Sequence, residues 1–160
     1  MADYQPPKPS PELKKLNFLV GKWKLAGTMK ETAQFGPGME LEGWHSWEWF
    51  NEYFMVHRWK QELGEGIEYI GWEEARNSFY SHYFDNNGPY DEDGSTYEGE
   101  MRGKNYVICG PARITYTPSD DGKTLHFTSE GAKSMRRQGL DAPDSEWFDW
   151  MEGTFTKTDA

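Results

Sequence analysis

The spacing of apolar residues changes once along the chain. Between residues 10 and 20, Leu13 and Leu16 recur at helical spacing, behind Ser10 as a helix N-cap and Pro11 at the first helical position. This pattern predicts a short helix that ends near Gly21. After that glycine, apolar and polar residues alternate with a period of two, which predicts β-strands.

Ten segments of strand length follow, and each gap between them contains Gly, Pro, Asn or Asp, the residues of tight turns. The segments are 22–32, 40–50, 53–62, 66–73, 78–85, 95–102, 104–109, 112–117, 123–131 and 146–157. Residues 132–145 predict a longer loop or one helical turn. Short links favour antiparallel neighbours, and so many strands leave exposed edges unless the sheet closes on itself. We therefore predict an all-β protein, a closed antiparallel up-and-down β-barrel of eight to ten strands with a short N-terminal helix; an open sandwich is the alternative.

Proline is concentrated at the N-terminus. Residues 1–11 contain Pro6, Pro7, Pro9 and Pro11, four of the nine prolines in the sequence. This segment predicts an extended arm. A chain of 160 residues suits one domain, so residues 12–160 are expected to form a single barrel domain.

The apolar residues are mostly aromatic. Leu, Ile and Val together number 15, whereas the chain has 9 Phe, 9 Tyr and 8 Trp. Few aliphatic residues and a high net charge are typical of disorder, but disordered chains are poor in aromatic residues. Aromatic side chains favour strands and bury large areas, so we expect an interior built from rings.

Charge and cysteine content exclude several classes of function. The chain has 17 basic and 27 acidic residues, a net charge of −10, so nucleic acid and anionic membranes are not expected as partners. Cys109 is the single cysteine, which excludes an intramolecular disulfide framework. The sequence has no apolar run long enough for a transmembrane helix, and its start lacks the features of a signal peptide. A cytoplasmic protein is therefore expected.

Four segments resemble a known superfamily. They read LNFLVGKW at 16–23, FMVHRW at 54–59, YIGW at 69–72 and YSHYFD at 80–85. Their order and spacing resemble the calycins, which include the lipocalins and the fatty-acid-binding proteins, and within them an uncharacterised, mostly bacterial lipocalin-like branch. The resemblance implies a barrel with a cavity for a hydrophobic ligand, with Trp23 as the plug at one end and Lys157 as the basic residue available to cover it. It implies no particular activity.

All four histidines, His45, His57, His82 and His126, lie in predicted strands and are candidates for acid–base chemistry. Their spacing matches no metal-binding motif, so neither a metal ion nor a cofactor is expected. We predict that His57 and His82 point inward and are the catalytic candidates, because each is flanked by aromatic rings at i±2. For each histidine, a bond to a neighbouring strand or to solvent is the alternative.

Aromatic residues on both faces of several strands leave the inward face undecided. Segment 44–50 has three tryptophans, which suggests a strand covered on one side by the cavity and on the other by the N-terminal arm or the partner of a homodimer. Ordinary core packing or a solvated outer face are the alternatives. The candidate ligand-binding residues are Trp47, Trp49, Met55, Arg58, Tyr80, Phe84, Tyr97 and His126.

Three functions are compatible with these features. The first is binding of a small, flat hydrophobic molecule in the barrel. The second is a cofactor-independent cyclase or isomerase that uses the same cavity as a mould for a polyketide-like intermediate, with His or Tyr moving a proton. The third is haem binding, with one histidine as axial ligand. The first two require the same ring-lined cavity, so the sequence leaves both open.

Overall fold

The computed structural model describes residues 2–87 and 91–158, which form ten strands and three short helical segments. The helical segments are a 3₁₀-helix at Pro11–Leu19, an α-helical turn at Glu92–Ser95 and a 3₁₀ turn at Asp144–Glu146. The strands are β1 (Gly21–Met29), β2 (Met39–Trp49), β3 (Met55–Gln61), β4 (Gly64–Glu73), β5 (Ser78–Asp85), β6 (Thr96–Arg102), β7 (Asn105–Cys109), β8 (Ala112–Pro118), β9 (Thr124–Ala132) and β10 (Trp147–Lys157).

Each strand pairs antiparallel with its neighbours in the sequence, and β1 pairs with β10. The sheet is therefore a closed up-and-down barrel, which confirms the predicted fold class at the upper end of its range of strand numbers. The alternation of side chains places one face of every strand in the interior.

The N-terminal 3₁₀-helix closes one end of the barrel, called here the helix end. The Ser10 side chain accepts a hydrogen bond from the Glu12 amide at 3.2 Å, as its N-cap position predicts. Leu13, Leu16 and Leu19 of this helix are buried. Among the described residues, no helix combines the length and the apolar composition needed to cross a membrane.

Trp23 anchors the same end. Its side chain is fully buried, and its indole Nε1 donates a hydrogen bond to the Leu19 carbonyl at 2.8 Å. The Nζ of Lys157 lies 5.2 Å from the centre of a Trp23 ring, because the two residues are directly paired between β1 and β10. The first strand is thereby fixed to both the helix and the last strand.

The opposite end, called here the loop end, is formed by the longer links between strands. These include residues 30–38 and 133–146. The second of these links is the predicted long loop. Two hydrogen bonds hold it against the barrel: the Arg137 guanidinium donates to the Thr96 carbonyl, and the backbone N–H of Gln138 donates to the Gly110 carbonyl.

Residues 2–10 have no regular secondary structure, and residues 2–8 are exposed. The Tyr53 hydroxyl donates a hydrogen bond to the Pro7 carbonyl at 2.7 Å, which fixes the arm at one point. The division into an arm at 1–11 and a domain at 12–160 stays a prediction.

Candidate functional site

The barrel interior contains a cavity of about 450 Å³ that extends to the loop end. Its lining is mainly aromatic and aliphatic and includes Leu41, Trp59, Ile114, Tyr116, Phe127 and Phe155. This volume falls in the range of small-molecule sites, about 300–1,000 Å³. At the loop end the lining includes Phe35 and Leu63, which are partly exposed.

Four buried polar side chains from β2 to β5 form a continuous hydrogen-bonded chain, called here the polar chain. The Ser81 hydroxyl donates to Glu68 Oε2 at 2.7 Å, and Glu68 Oε1 lies 3.1 Å from His57 Nδ1. His57 Nε2 lies 2.8 Å from His45 Nδ1. All four residues are less than 9% exposed, and all but Ser81 line the cavity.

Strand register brings these residues together. His57 and Glu68 are directly opposite each other in β3 and β4. His45 is opposite Trp59, two residues from His57, and Ser81 is opposite Ile70, two residues from Glu68. These diagonal neighbours on one face of a sheet are within reach of long side chains.

Aromatic rings hold the two imidazoles in place. Trp47 stacks on His57 with ring centres 4.1 Å apart and an interplanar angle of 8°. The ring of Phe155 lies edge-on to His45 at 4.5 Å. Such packing restricts both imidazoles to one orientation.

Burial sets the protonation state of several groups in the barrel interior. Burial, and next the neighbouring His57, hold the pKa of His45 well below its usual value, so His45 is neutral at pH 7. Burial, and next the negative charge of Glu68, raise the pKa of Tyr106 and of Tyr116 well above the usual value for tyrosine. Both phenols therefore keep their protons at neutral pH.

The far end of the polar chain is unsatisfied. His45 Nε2 is buried and has no hydrogen-bond partner among the described residues. Buried polar atoms in folded proteins are almost always hydrogen-bonded. A polar group of a molecule in the cavity would provide the missing partner.

Three of the sequence-predicted site residues lie at this site. His57 points inward, as predicted, and is the second member of the polar chain. Tyr97 lines the cavity, and Trp47 supports the His57 ring. Met55 also points inward, but it is fully buried in the core and does not line the cavity.

The expectation that His82 points inward is wrong. In β5 the inward face carries Phe79 and Ser81, which are buried, whereas His82 is exposed. Aromatic rings occur on both faces of this strand, so ring neighbours at i±2 did not show which face points inward. The outer ring of Tyr80 is covered by the Arg76 guanidinium at 4.6 Å and touches the His82 ring edge-on.

The other predicted ligand-binding residues also lie away from the cavity. His126 is exposed on the outer face of β9. Trp49 is at the helix end, where its indole donates to the Asn17 side chain at 2.8 Å. Arg58 and Phe84 are exposed on the outer face and share a groove of about 450 Å³, in which Arg58 pairs with Glu48 at 2.7 Å.

Sequence reasoning missed Glu68 and Ser81, and it named His45 as a candidate for acid–base chemistry without choosing it as a site residue. One signal was available for Glu68, which shares a strand face with Gly66 and Ile70 and is therefore a carboxylate at an inward position. The diagonal contacts depend on register, which the sequence pattern does not give.

Two observations concern the potential metal ligands and the thiol. Within residues 2–87 and 91–158, no group of three or more His, Cys, Asp or Glu side chains is arranged to hold a metal ion. Burial raises the pKa of the Cys109 thiol to about 11, so it is not a reactive thiolate at neutral pH.

Comparison with known proteins identifies the fold. No family model matches the chain, and no curated protein matches it. The chain is similar in structure to Rv2717c from M. tuberculosis, with a TM-score of 0.62 at 12% identity over 94% of this chain and 99% of that one. At this identity the similarity supports the barrel fold alone.

Two further solved structures are similar at lower TM-scores. One is EF1p2_mFAP2b bound to DFHBI, with a TM-score of 0.43 at 12% identity over 92% of this chain and 99% of that one. The other is the redesigned β-barrel b11L5F_LGL, with a TM-score of 0.38 at 11% identity over 91% of this chain and 96% of that one. TM-scores below 0.5 support no argument about this chain.

Proposed function

We propose that this protein binds a small, flat, apolar molecule in the interior cavity. The observation that carries this proposal is a ring-lined cavity in which a buried polar chain ends at an unsatisfied imidazole nitrogen. Such a site offers apolar surface for affinity and one polar group for orientation.

The cost of the cavity supports the same proposal. An unfilled apolar cavity lowers the free energy of unfolding, by about 24 cal/mol for each Å³ in engineered cavities. A barrel selected for stability alone would fill this space with side chains. A bound molecule would make contacts with the lining side chains that these side chains do not make with one another.

Two matched substitutions and one dye test whether the molecule binds in the interior cavity. Ile114 lines the interior cavity, whereas Ile67 lines the outer groove. We expect saturable binding of the neutral dye Nile red, a loss of at least about 10-fold in affinity in Ile114→Trp, and unchanged affinity in Ile67→Trp. The reverse pattern would place the dye in the outer groove and contradict the proposal, as would absence of binding.

Acid–base catalysis on the bound molecule is the second candidate, and the polar chain is the observation that favours it. When His45 Nε2 takes a proton from a ligand, a ligand C–H or O–H bond breaks and an N–H bond forms. The proton on His45 Nδ1 then passes to His57 Nε2, which leaves an imidazolium beside the Glu68 carboxylate. This route suits a cofactor-independent isomerase or cyclase.

Proton exchange into a model ketone tests the catalytic candidate. 2-Tetralone is a nearly flat compound with acidic hydrogens next to its carbonyl, and their exchange in D₂O is followed by NMR. We expect the wild-type protein to accelerate this exchange about 100-fold or more over His45→Phe. Equal rates for the two proteins would eliminate the catalytic candidate and leave binding in place.

The finer sequence interpretations also remain proposals. Membership of the calycin superfamily is supported by the buried Trp23 at the helix end and by the Lys157 amine above its ring. Homodimer formation, the absence of nucleic-acid and membrane partners, and a cytoplasmic location stay predictions from the sequence.

A further inference from the structure

We propose that the molecule bound in the interior cavity carries an uncharged carbonyl oxygen, which accepts a hydrogen bond from the indole N–H of Trp150. This inference rests on the proposed function and extends it by naming the polar group of the ligand and the side chain that recognises it.

A β-bulge turns Trp150 into the cavity wall. The register of β10 against β9 shifts between Asp149 and Met151, which leaves Trp150 as an extra residue in β10. Trp150 and Met151 both line the interior cavity, although consecutive residues of a regular strand point to opposite faces. Bulges re-aim side chains in this way and are frequent next to active sites.

The link between β1 and β2 holds the Trp150 ring at the loop end. The ring of Phe35 packs against it, with centres 4.4 Å apart and an interplanar angle of 33°. The Trp150 carbonyl accepts a hydrogen bond from the backbone N–H of Lys30 at 2.7 Å. These two contacts fix the position of the indole within the wall.

The indole nitrogen of Trp150 lacks an acceptor. Nε1 is buried and has no hydrogen-bond partner within residues 2–87 and 91–158. An indole N–H only donates hydrogen bonds, so its role does not depend on any protonation state in the polar chain. Burial of a donor without an acceptor is unfavourable. Because the ring belongs to the cavity wall, an acceptor on a bound molecule is in position to satisfy it.

The charges of the lining favour an uncharged acceptor over a carboxylate. Among the described residues that line the cavity there is no Lys or Arg. His57 lies 3.1 Å from the Glu68 carboxylate, so a positive charge on that imidazole already has its partner. A ligand carboxylate would therefore lose its hydration without gaining a cationic partner of its own.

A carbonyl group also suits the shape of the site. Its oxygen accepts hydrogen bonds near the plane of the C=O group. In a flat conjugated ligand this plane is that of the rings, so the oxygen can face Trp150 while both faces of the rings contact the aromatic lining. An uncharged ketone or quinone oxygen combines these properties.

Three naphthalene derivatives test the acceptor at pH 8. 2-Acetylnaphthalene carries the carbonyl, 2-isopropenylnaphthalene has a similar shape with CH₂ in place of the oxygen, and 2-naphthoate is an anion. Displacement of Nile red measures the affinity of each compound. We expect the wild-type protein to bind the ketone more tightly than 2-naphthoate, and a preference for the anion would overturn the inference.

Two matched tryptophan variants assign the effect to one indole. Trp150→Phe keeps a ring but removes the N–H, so the affinity for the ketone relative to the hydrocarbon should fall by at least about 3-fold. Trp147 is in the same strand, is buried and also has an unsatisfied Nε1, but it is not among the described residues that line the cavity. In Trp147→Phe the relative affinity should equal that of the wild-type protein. A smaller change in Trp150→Phe, or an equal change in both variants, would contradict the role of Trp150.

¹H–¹⁵N NMR of the wild-type protein gives a second measurement that does not depend on the folding of a variant. The indole proton of Trp150 should resonate further downfield with bound 2-acetylnaphthalene than with bound 2-isopropenylnaphthalene. The indole proton of Trp147 should show no such difference. Identical Trp150 resonances with the two compounds would refute the inference.

The outcomes separate this inference from the proposed function. If Nile red and the hydrocarbon bind in the cavity but the ketone gains nothing from Trp150, the proposed function survives and this inference fails. If neither the dye nor the naphthalene compounds bind, both fail.

Discussion

The two ends of the barrel interior are built by the same alternation of side chains but filled differently. At the helix end, Leu16, Leu19 and Trp23 are fully buried and in contact with the rest of the core. Towards the loop end, the inward side chains leave a cavity and support a buried polar chain. This difference indicates that the helix end provides stability, whereas the loop end has space and polarity that stability alone does not require.

Replacement of the buried tryptophan at the helix end should have the largest effect. Trp23→Ala removes a fully buried ring, the Nε1 hydrogen bond to Leu19 and the contact with Lys157. We expect the free energy of unfolding to fall by about 3–5 kcal/mol in urea denaturation. Trp44→Ala, on the half-buried outer face, is the control and should cost much less. Equal losses in the two variants would mean that Trp23 does not anchor this end.

A pair of enlarging substitutions compares a closely packed part of the core with the cavity wall. A Cβ at Gly99 would lie 2.8 Å from the buried Tyr106 ring, so Gly99→Ala should destabilise the protein by about 1–3 kcal/mol. Ala112 lines the cavity, and Ala112→Leu has space available, so it should change stability by less than about 1 kcal/mol while it weakens Nile red binding. A larger destabilisation from Ala112→Leu than from Gly99→Ala would show that the cavity wall is as tightly packed as the core around Tyr106.

His45, a buried histidine of the polar chain, should make the free energy of unfolding depend on pH. The pKa of His45 is lowered in the folded protein, so below about pH 6.5 the unfolded chain binds a proton at this residue that the folded protein does not bind. Above that pH, His45 does not make stability depend on pH. As the pH falls further, His45 lowers the free energy of unfolding by up to about 1.4 kcal/mol per pH unit.

Urea denaturation between pH 7 and 5 measures this slope. We expect His45→Phe to be less sensitive to acid than the wild-type protein. His82→Phe removes an exposed histidine and should retain the wild-type slope. A slope that changes in the His82 variant but not in the His45 variant would contradict the assignment of the buried group.

Much of the fold was accessible from local sequence patterns. The Ser10–Pro11 cap, the period-two alternation and the Gly, Pro, Asn and Asp residues in the links predicted the helix, the strands and the turns, because these features act within a few residues. Closure followed from the number of strands and the cost of open edges.

The site was accessible only in part, because it depends on contacts between strands. His57 was predicted to face inward and does so, since its strand has apolar neighbours on that side. The partners Glu68, His45 and Ser81 come from three other strands, and their approach is fixed by register and stagger. The face of β5 was misassigned because Tyr80 and Phe84 are aromatic residues on the outer surface.

The smallest expected effect concerns that misassigned face. His82 is exposed and opposite Tyr69, itself 40% exposed, on the outside of β4. Its described ring contact is an edge-on approach to Tyr80 with centres 5.4 Å apart. We therefore expect His82→Ala to change the free energy of unfolding by no more than about 0.5 kcal/mol, as for most surface substitutions, and to leave Nile red affinity unchanged. His45→Phe is the matched comparison, because it also removes one imidazole but changes the wall of the interior cavity. If His82→Ala weakened binding as much as His45→Phe, the ligand would contact the outer face of the barrel, and the division between a binding interior and a solvated exterior would be wrong.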